Sequence, residues 1–163
     1  MGKFTRKSLT RDRGFTLVEL LITLAIAAIV VSMAVPSFTS TITNSRMTTQ
    51  ANELVTSLNF ARSEAIRRGA SVTLNSGSAN WHTGWTIQDN NNALIRNHDA
   101  FDGSNTLNGP AGAVTYQGTG YIAGGNEIEF TLCDDSTNST GRSILISVTG
   151  RASVSDTPCN TSS

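Results

Sequence analysis

Three textures of hydrophobic and polar residues follow one another along the chain. From Leu17 to Val35 nearly every residue is Leu, Ile, Val or Ala, with Glu19, Thr23 and Ser32 as polar interruptions. Some twenty such residues, at about 1.5 Å each, predict a helix of about 30 Å, the thickness of a bilayer's hydrocarbon core. Beyond Pro36, which predicts a bend, polar residues enter but the helical spacing persists. Met47, Ala51, Leu54, Val55, Leu58, Ala61, Ala65 and Ile66 then fall on one face. Arg67-Arg68 followed by Gly69 is a stop signal, with cations at the negative end of the dipole and a residue free to turn left-handed. One helix is expected from about Thr16 to Arg68. Phe60 lies off its stripe, either beneath a sheet that wraps the helix or facing a neighbouring molecule.

From Ser71 the pattern changes to short alternating runs divided by Gly, Asn and Asp. Strands are expected at 71–75, 85–88, 94–97, 114–116, 127–132, 143–148 and 152–154, with turns at 75–80, 89–92, 103–112 and 118–125. Ile128, Phe130 and Leu132 share one face of "EIEFTL", and Ile144, Ile146 and Val148 share one face of "SILISV". An antiparallel sheet packed on the helix's apolar stripe follows, α+β in class.

Charge adds a direction. The formal net charge is zero, yet Lys3, Arg6, Lys7, Arg11 and Arg13 all precede Gly14, opposed by Asp12 alone. From Phe15 onward there are seven Arg and eleven acidic residues, a net of −4. Basic residues before an apolar span predict a cytoplasmic N-terminus and an exported body. The acidic body argues against a surface built for bulk nucleic-acid binding. The expected organisation is a basic leader over 1–14, a membrane helix over 15–38, an amphipathic helix over 39–69 and a β-rich head over 70–163.

Glu19 decides among three readings of the apolar run. A secretory signal cut after Ser32-Met33-Ala34 has no use for a carboxylate, and Pro36 falls two residues past that cut. A plain anchor leaves Glu19 unexplained, since a carboxylate at mid-bilayer costs about 2.5–3.5 kcal/mol and less near the interface. If instead the chain is cut between Gly14 and Phe15, a new α-amine appears one helical turn from Glu19. A neighbouring subunit shifted along a helical bundle then supplies the opposite charge, and the buried acid becomes an assembly register.

"RGFTLVELLITLAIAAIVVSMAVPSF" closely resembles the class III signal of type IV pilins and type II secretion pseudopilins. The family pattern is a basic leader ending in Gly, then Phe-Thr-Leu-Val-Glu-Leu, then an apolar helix with Pro near its end; it stands here as Gly14, Phe15 to Leu20, and Pro36. The resemblance implies cleavage after Gly14 by the prepilin peptidase, N-methylation of Phe15, and Glu19 as the filament-assembly residue. It also implies a type IV pilin-like fold and a single pass through the bacterial inner membrane with a periplasmic head. The implied partners are membrane lipid, an inner-membrane assembly platform and other pilins or pseudopilins in a helical filament.

The head carries a resemblance of its own. Ala61-Arg62-Ser63-Glu64-Ala65-Ile66, Gly84-Trp85 and Thr149-Gly150-Arg151 resemble recurrent features of the GspH/FimT family of minor pilins and pseudopilins. That family implies a non-enzymatic subunit that primes or caps assembly near a filament tip. Two cysteines in the C-terminal region and a tail past Arg151 look more like the pilus branch than like the secretion pseudopilin, which stays as the alternative. Some FimT-like members bind DNA through a C-terminal Gly-Arg-x-Arg. Here Gly150-Arg151-Ala152-Ser153 lacks the second Arg, and Arg142 is the candidate replacement. Two arginines on an acidic head imply weak, salt-sensitive phosphate contact; alternatively both cap turns or pair with Asp134, Asp135 or Asp156.

Cys133 and Cys159 cannot alone build a thiolate zinc site, and a disulfide is the default for an exported head, with two free thiols as the alternative. The remaining constellations have ordinary readings. "DNNNALIRNHDA" lacks the Gly and Glu of a calcium loop and reads as a hairpin. Asp134-Asp135 reads as a solvated turn, and His82 as a turn or surface histidine. Trp81 and Trp85 read as a half-core pair, with Trp81 as a partner contact if exposed. Asn138-Ser139-Thr140 and Asn160-Thr161-Ser162 match glycosylation sequons. No convergent titrating set suggests an enzyme, and no cofactor or metal is implied.

Overall fold

A computed structural model describes residues 14–134 and 140–159, with the backbone alone for residues 34–40. Residues 1–13 of the basic leader, Asp135, Asn138 and Asn160 lie outside the described residues, and Pro36 lies outside the described side chains. The chain divides into two compact units, Met1–Thr41 and Ile42–Ser163. One helix, α1 (Leu17–Arg68), contributes to both.

In the first unit, every described apolar side chain of α1, from Leu17 to Met33, is exposed. Among the described residues no helix is long and apolar enough to cross a membrane. Within the 15–38 span expected from the sequence, the described side chains run from Phe15 to Met33.

The second unit holds the buried core, whose described members run from Met47 to Cys159. Met47, Ala51, Leu54, Leu58, Ala61 and Ala65 form the helix's contribution, each at most 2% exposed. Their spacing of three and four residues keeps them on one face. Ile66, assigned by its spacing to that face, is instead 52% exposed. Gly69, with φ 62°, ends the helix as expected.

Two four-stranded antiparallel sheets complete the α+β head. The first has the order β3-β2-β1-β5, from β1 (Val72–Asn75), β2 (Trp85–Asp89), β3 (Leu94–His98) and β5 (Ala113–Tyr116). The second has the order β4-β6-β7-β8, from β4 (Thr106–Asn108), β6 (Ile128–Cys133), β7 (Thr140–Ile146) and β8 (Ala152–Pro158). Alternation puts Val72, Leu74, Ile87, Val114, Phe130, Leu132, Ile144 and Ile146 into the core. A single 3₁₀ turn (Trp81–Thr83) carries Trp81 to the centre, where its ring meets Phe130 edge-on at 4.9 Å.

Several expectations are corrected. The sheet is two sheets. β4 lies inside the expected 103–112 turn, anchored by fully buried Leu107. β7 ends at Ile146, so Val148 sits in a turn at 39% exposure and leaves the core face. β8 continues to Pro158 because β7 pairs with it along seven residues, from Ile146 opposite Ala152 to Thr140 opposite Pro158. Trp81 and Trp85 are both buried, at 0% and 2% exposure, so Trp81 offers no surface contact. Phe60 is half-buried against the core with the Arg96 guanidinium 5.4 Å from its ring centre, the sheet-packed arrangement.

Candidate functional site

In the first unit the features of interest gather at the start of α1. Gly14, Phe15 and Thr16 precede the helix, and Phe15 is 81% exposed. The Glu19 backbone N–H donates to Thr16 Oγ1 at 3.2 Å, which makes Thr16 the cap of the first turn. Glu19 therefore stands where the helix dipole favours a negative charge. The cap was overlooked in the sequence, although Thr-x-x-Glu before an apolar run is its signature. The other polar residues of the run are satisfied internally: Thr23 Oγ1 donates to the Leu20 carbonyl at 2.8 Å and Ser32 Oγ to the Ile29 carbonyl at 2.7 Å. Within Leu17–Met33 the Glu19 carboxylate is left as the polar group without such a bond among the described residues.

In the head, the motif at the end of α1 meets the closing Thr-Gly-Arg. Arg62 Nε donates to the Gly120 carbonyl at 3.0 Å and Arg62 Nη2 to the Thr149 carbonyl at 2.9 Å. One guanidinium thus fastens two turns to the helix. Gly150, with φ 80°, lies so close to the Gly120 carbonyl, the Tyr116 ring and Arg62 that a β-carbon has no room. Glu64 accepts from Arg67 at 2.6 Å and from Arg68 at 2.8 Å, and those two guanidiniums hold its carboxyl at about 2. Beneath this end Tyr116 is fully buried and its hydroxyl has no partner among the described residues. Burial pushes its pKa to about 12.

The two arginines considered for DNA lie in one hairpin but apart. Arg142 stands opposite Asp156 and binds it at 2.7 Å, while Arg151 is exposed in the turn before β8. About five residues of strand separate the two positions, roughly 17 Å. Cys133 and Cys159 are joined, with Cα atoms 5.8 Å apart, and the bond ties the end of β8 to β6 across β7.

Elsewhere the chemistry is sparse. "DNNNALIRNHDA" forms the β2–β3 hairpin, with Asp89 Oδ1 accepting from the Asn91 and Ala93 N–H groups. His82 sits in the 3₁₀ turn. His98 stacks on Trp85 at 4.0 Å and lies 3.6 Å from Glu53, beside an open cleft of about 630 Å³ that also includes Arg46, Gln50 and Asp102. No group of three or more His, Cys, Asp or Glu among the described residues is placed to hold a metal ion.

Residues 50–150 match the family model described as type II transport protein GspH. The chain belongs to the GspH family. A second model, the prokaryotic N-terminal methylation motif, matches residues 9–35 of this GspH-family chain. The sequence matches no curated protein. Among solved structures the chain is similar to the type IV minor pilin FimU of Pseudomonas aeruginosa strain PAO1 in two crystal forms. In one, identity is 25%, with 67% of this chain and 87% of FimU covered at a TM-score of 0.61; in the other, identity is 25%, with 66% and 91% covered at 0.59. GspH-family proteins are structural, non-enzymatic subunits of the minor pilin and pseudopilin class, and membership implies association with other pilins in a filament. The methylation motif marks a membrane-anchored, pilus-incorporated pilin.

Proposed function

We propose that this GspH-family chain is a minor pilin of a type IV pilus, which primes or caps assembly near the filament tip. In this reading the prepilin peptidase cuts after Gly14, Phe15 is N-methylated, and the 15–38 helix holds the chain in the inner membrane with the head in the periplasm. An assembly platform then moves it into the filament core. The observation that carries the proposal is the first turn of α1. A lone carboxylate stands there on a helix whose described apolar side chains are exposed all round. A helix apolar on every face needs lipid or neighbouring helices around it. Glu19 in that setting needs a counter-charge, and the amine of another copy's Phe15 is of the right sign.

Likeness to FimU over most of its length and the head disulfide support the pilus over the secretion system. The family model, described for type II transport, supports a GspH-type pseudopilin as the second reading. Arg142, occupied by Asp156, lends no support to the DNA-binding alternative.

Replacing Glu19 by Ala is expected to abolish filament incorporation while the head stays folded, measured by immunoblot of sheared filaments and of cell extract. Mass spectrometry of the native protein is expected to show methyl-Phe15 as its first residue. A chain beginning at Met1 or Val35 overturns the proposal. Loss of surface pili in a deletion strain, with secretion intact, separates the pilus from the secretion system.

A further inference from the structure

The end of the head at which α1 stops is assembled from three pieces. Arg62 joins the helix to the Gly120 and Thr149 carbonyls, and the Ile122 N–H donates to the Val148 carbonyl at 3.1 Å. The Ile66 Cδ1 methyl lies against Gly120. These links place Ile66, Tyr121 and Val148 on adjoining segments at this end, 52%, 52% and 39% exposed. Single exposed apolar residues are common on any protein, whereas a cluster marks a surface that meets a partner. The head's other exposed large apolar residues are dispersed: Ile42 is on α1 where the second unit begins, Leu94 is in the β2–β3 hairpin, and Leu145 and Val154 lie on opposite faces of the β7–β8 hairpin.

Charge at this end runs against that of the whole head. Arg62, Arg67, Arg68 and Arg151 lie on the same adjoining segments, with Glu64 and Asp89 as the carboxylate partners of Arg67 and Arg68. The local net is +2 on a head, residues 42–163, that carries seven Arg and ten acidic residues, net −3. Arg62 spends its guanidinium on carbonyls, and Arg151 is exposed without a carboxylate partner among the described residues. A tyrosine with aliphatic neighbours and an arginine rim is the composition of a protein–protein contact. Nucleic acid fits less well, because the centre is aliphatic with one ring to stack on, and Glu64 already engages two of the four cations.

We propose that Ile66, Tyr121 and Val148, rimmed by Arg62, Arg67 and Arg151, form the surface on which the head docks an acidic, apolar-centred face of a different pilin-type subunit. The proposal rests on the filament reading above and names the partner-facing surface within it. Complementary charge sets the register and orientation of such a contact.

The test uses the full-length chain in its native cell, with a photoreactive phenylalanine at Tyr121 and, as control, at Leu94. Illumination is expected to join position 121, and not 94, to a second protein bearing a methylated pilin N-terminus, through a peptide containing Asp or Glu. Arg151→Glu, a change at an exposed turn, is expected to lower the adduct about ten-fold or more, since like charges then face each other. No adduct at 121, an adduct to nucleic acid, or a yield indifferent to Arg151→Glu overturns the docking surface. If assembly still fails in Glu19→Ala while position 121 gives no adduct, the docking surface alone is wrong. If filaments form without Glu19, the filament reading falls with it.

Discussion

Arg62 shows how a single side chain can hold a surface together. Its two hydrogen bonds end on backbone carbonyls of separate turns, so one side chain ties both turns to α1 without calling on any side chain of theirs. Hydrogen bonds from charged donors contribute about 1.5–3 kcal/mol each, and losing this pair is expected to cost about 2–3 kcal/mol in Arg62→Ala after partial rehydration. Lysine, with a point charge in place of a fork, is expected to recover less than half of that in urea unfolding of the head. Tyr116 supplies a second residue-scale test. Its folded pKa, pushed to about 12, lies above the ordinary value of about 10, so the fold favours the protonated phenol. That contribution is complete below about pH 10 and is lost as pH rises toward 12. Tyr116→Phe is expected to flatten this alkaline limb in thermal melts. At pH 7 it is expected to leave stability unchanged or raise it by about 1 kcal/mol, because the buried hydroxyl has no partner to lose.

At the scale of elements, legibility followed from where each strand buries its side chains. β6 and the end of β7, from Ile144 to Ile146, alternate cleanly because one face meets the core, and α1 shows its stripe for the same reason. β8 is an edge strand exposed along most of its length, so Ser153, Ser155 and Asp156 look like loop in the sequence. Its existence comes from β7 and from the disulfide, two non-local causes that periodicity does not register. Ile66 and Val148 were read as core because spacing continues past the point where the sheets end. Thr16 was legible and missed. The disulfide closes a loop of 26 residues, and replacing both cysteines by Ala is expected to cost roughly 3–4 kcal/mol. The loss should concentrate in β8, seen as amide exchange that quickens at Ser153 to Thr157 well before it does at Phe130 or Ile144. Uniform quickening across the head would contradict this account.

For the molecule as a whole, the two units divide the work. Every described core residue lies in Ile42–Ser163, so a chain beginning at Ile42 is expected to be monodisperse without detergent and to keep the thermal midpoint of the full protein's head, by calorimetry. A lowered midpoint would show that the first unit contributes to the head's fold. The first unit is in turn specified by a short stretch of sequence, because its chemistry is that of one turn of helix. The position of that turn has a consequence for maturation. The backbone from Gly14 to Thr16 is non-helical and exposed, and the hydroxyl that closes the first turn belongs to Thr16. Under the proposed processing, severing the bond ahead of Phe15 therefore unravels none of α1, since the instruction to begin coiling is written entirely on the product side of the scissors. Processing would change what the terminus is, an amine where there was an amide, without changing where the rod begins.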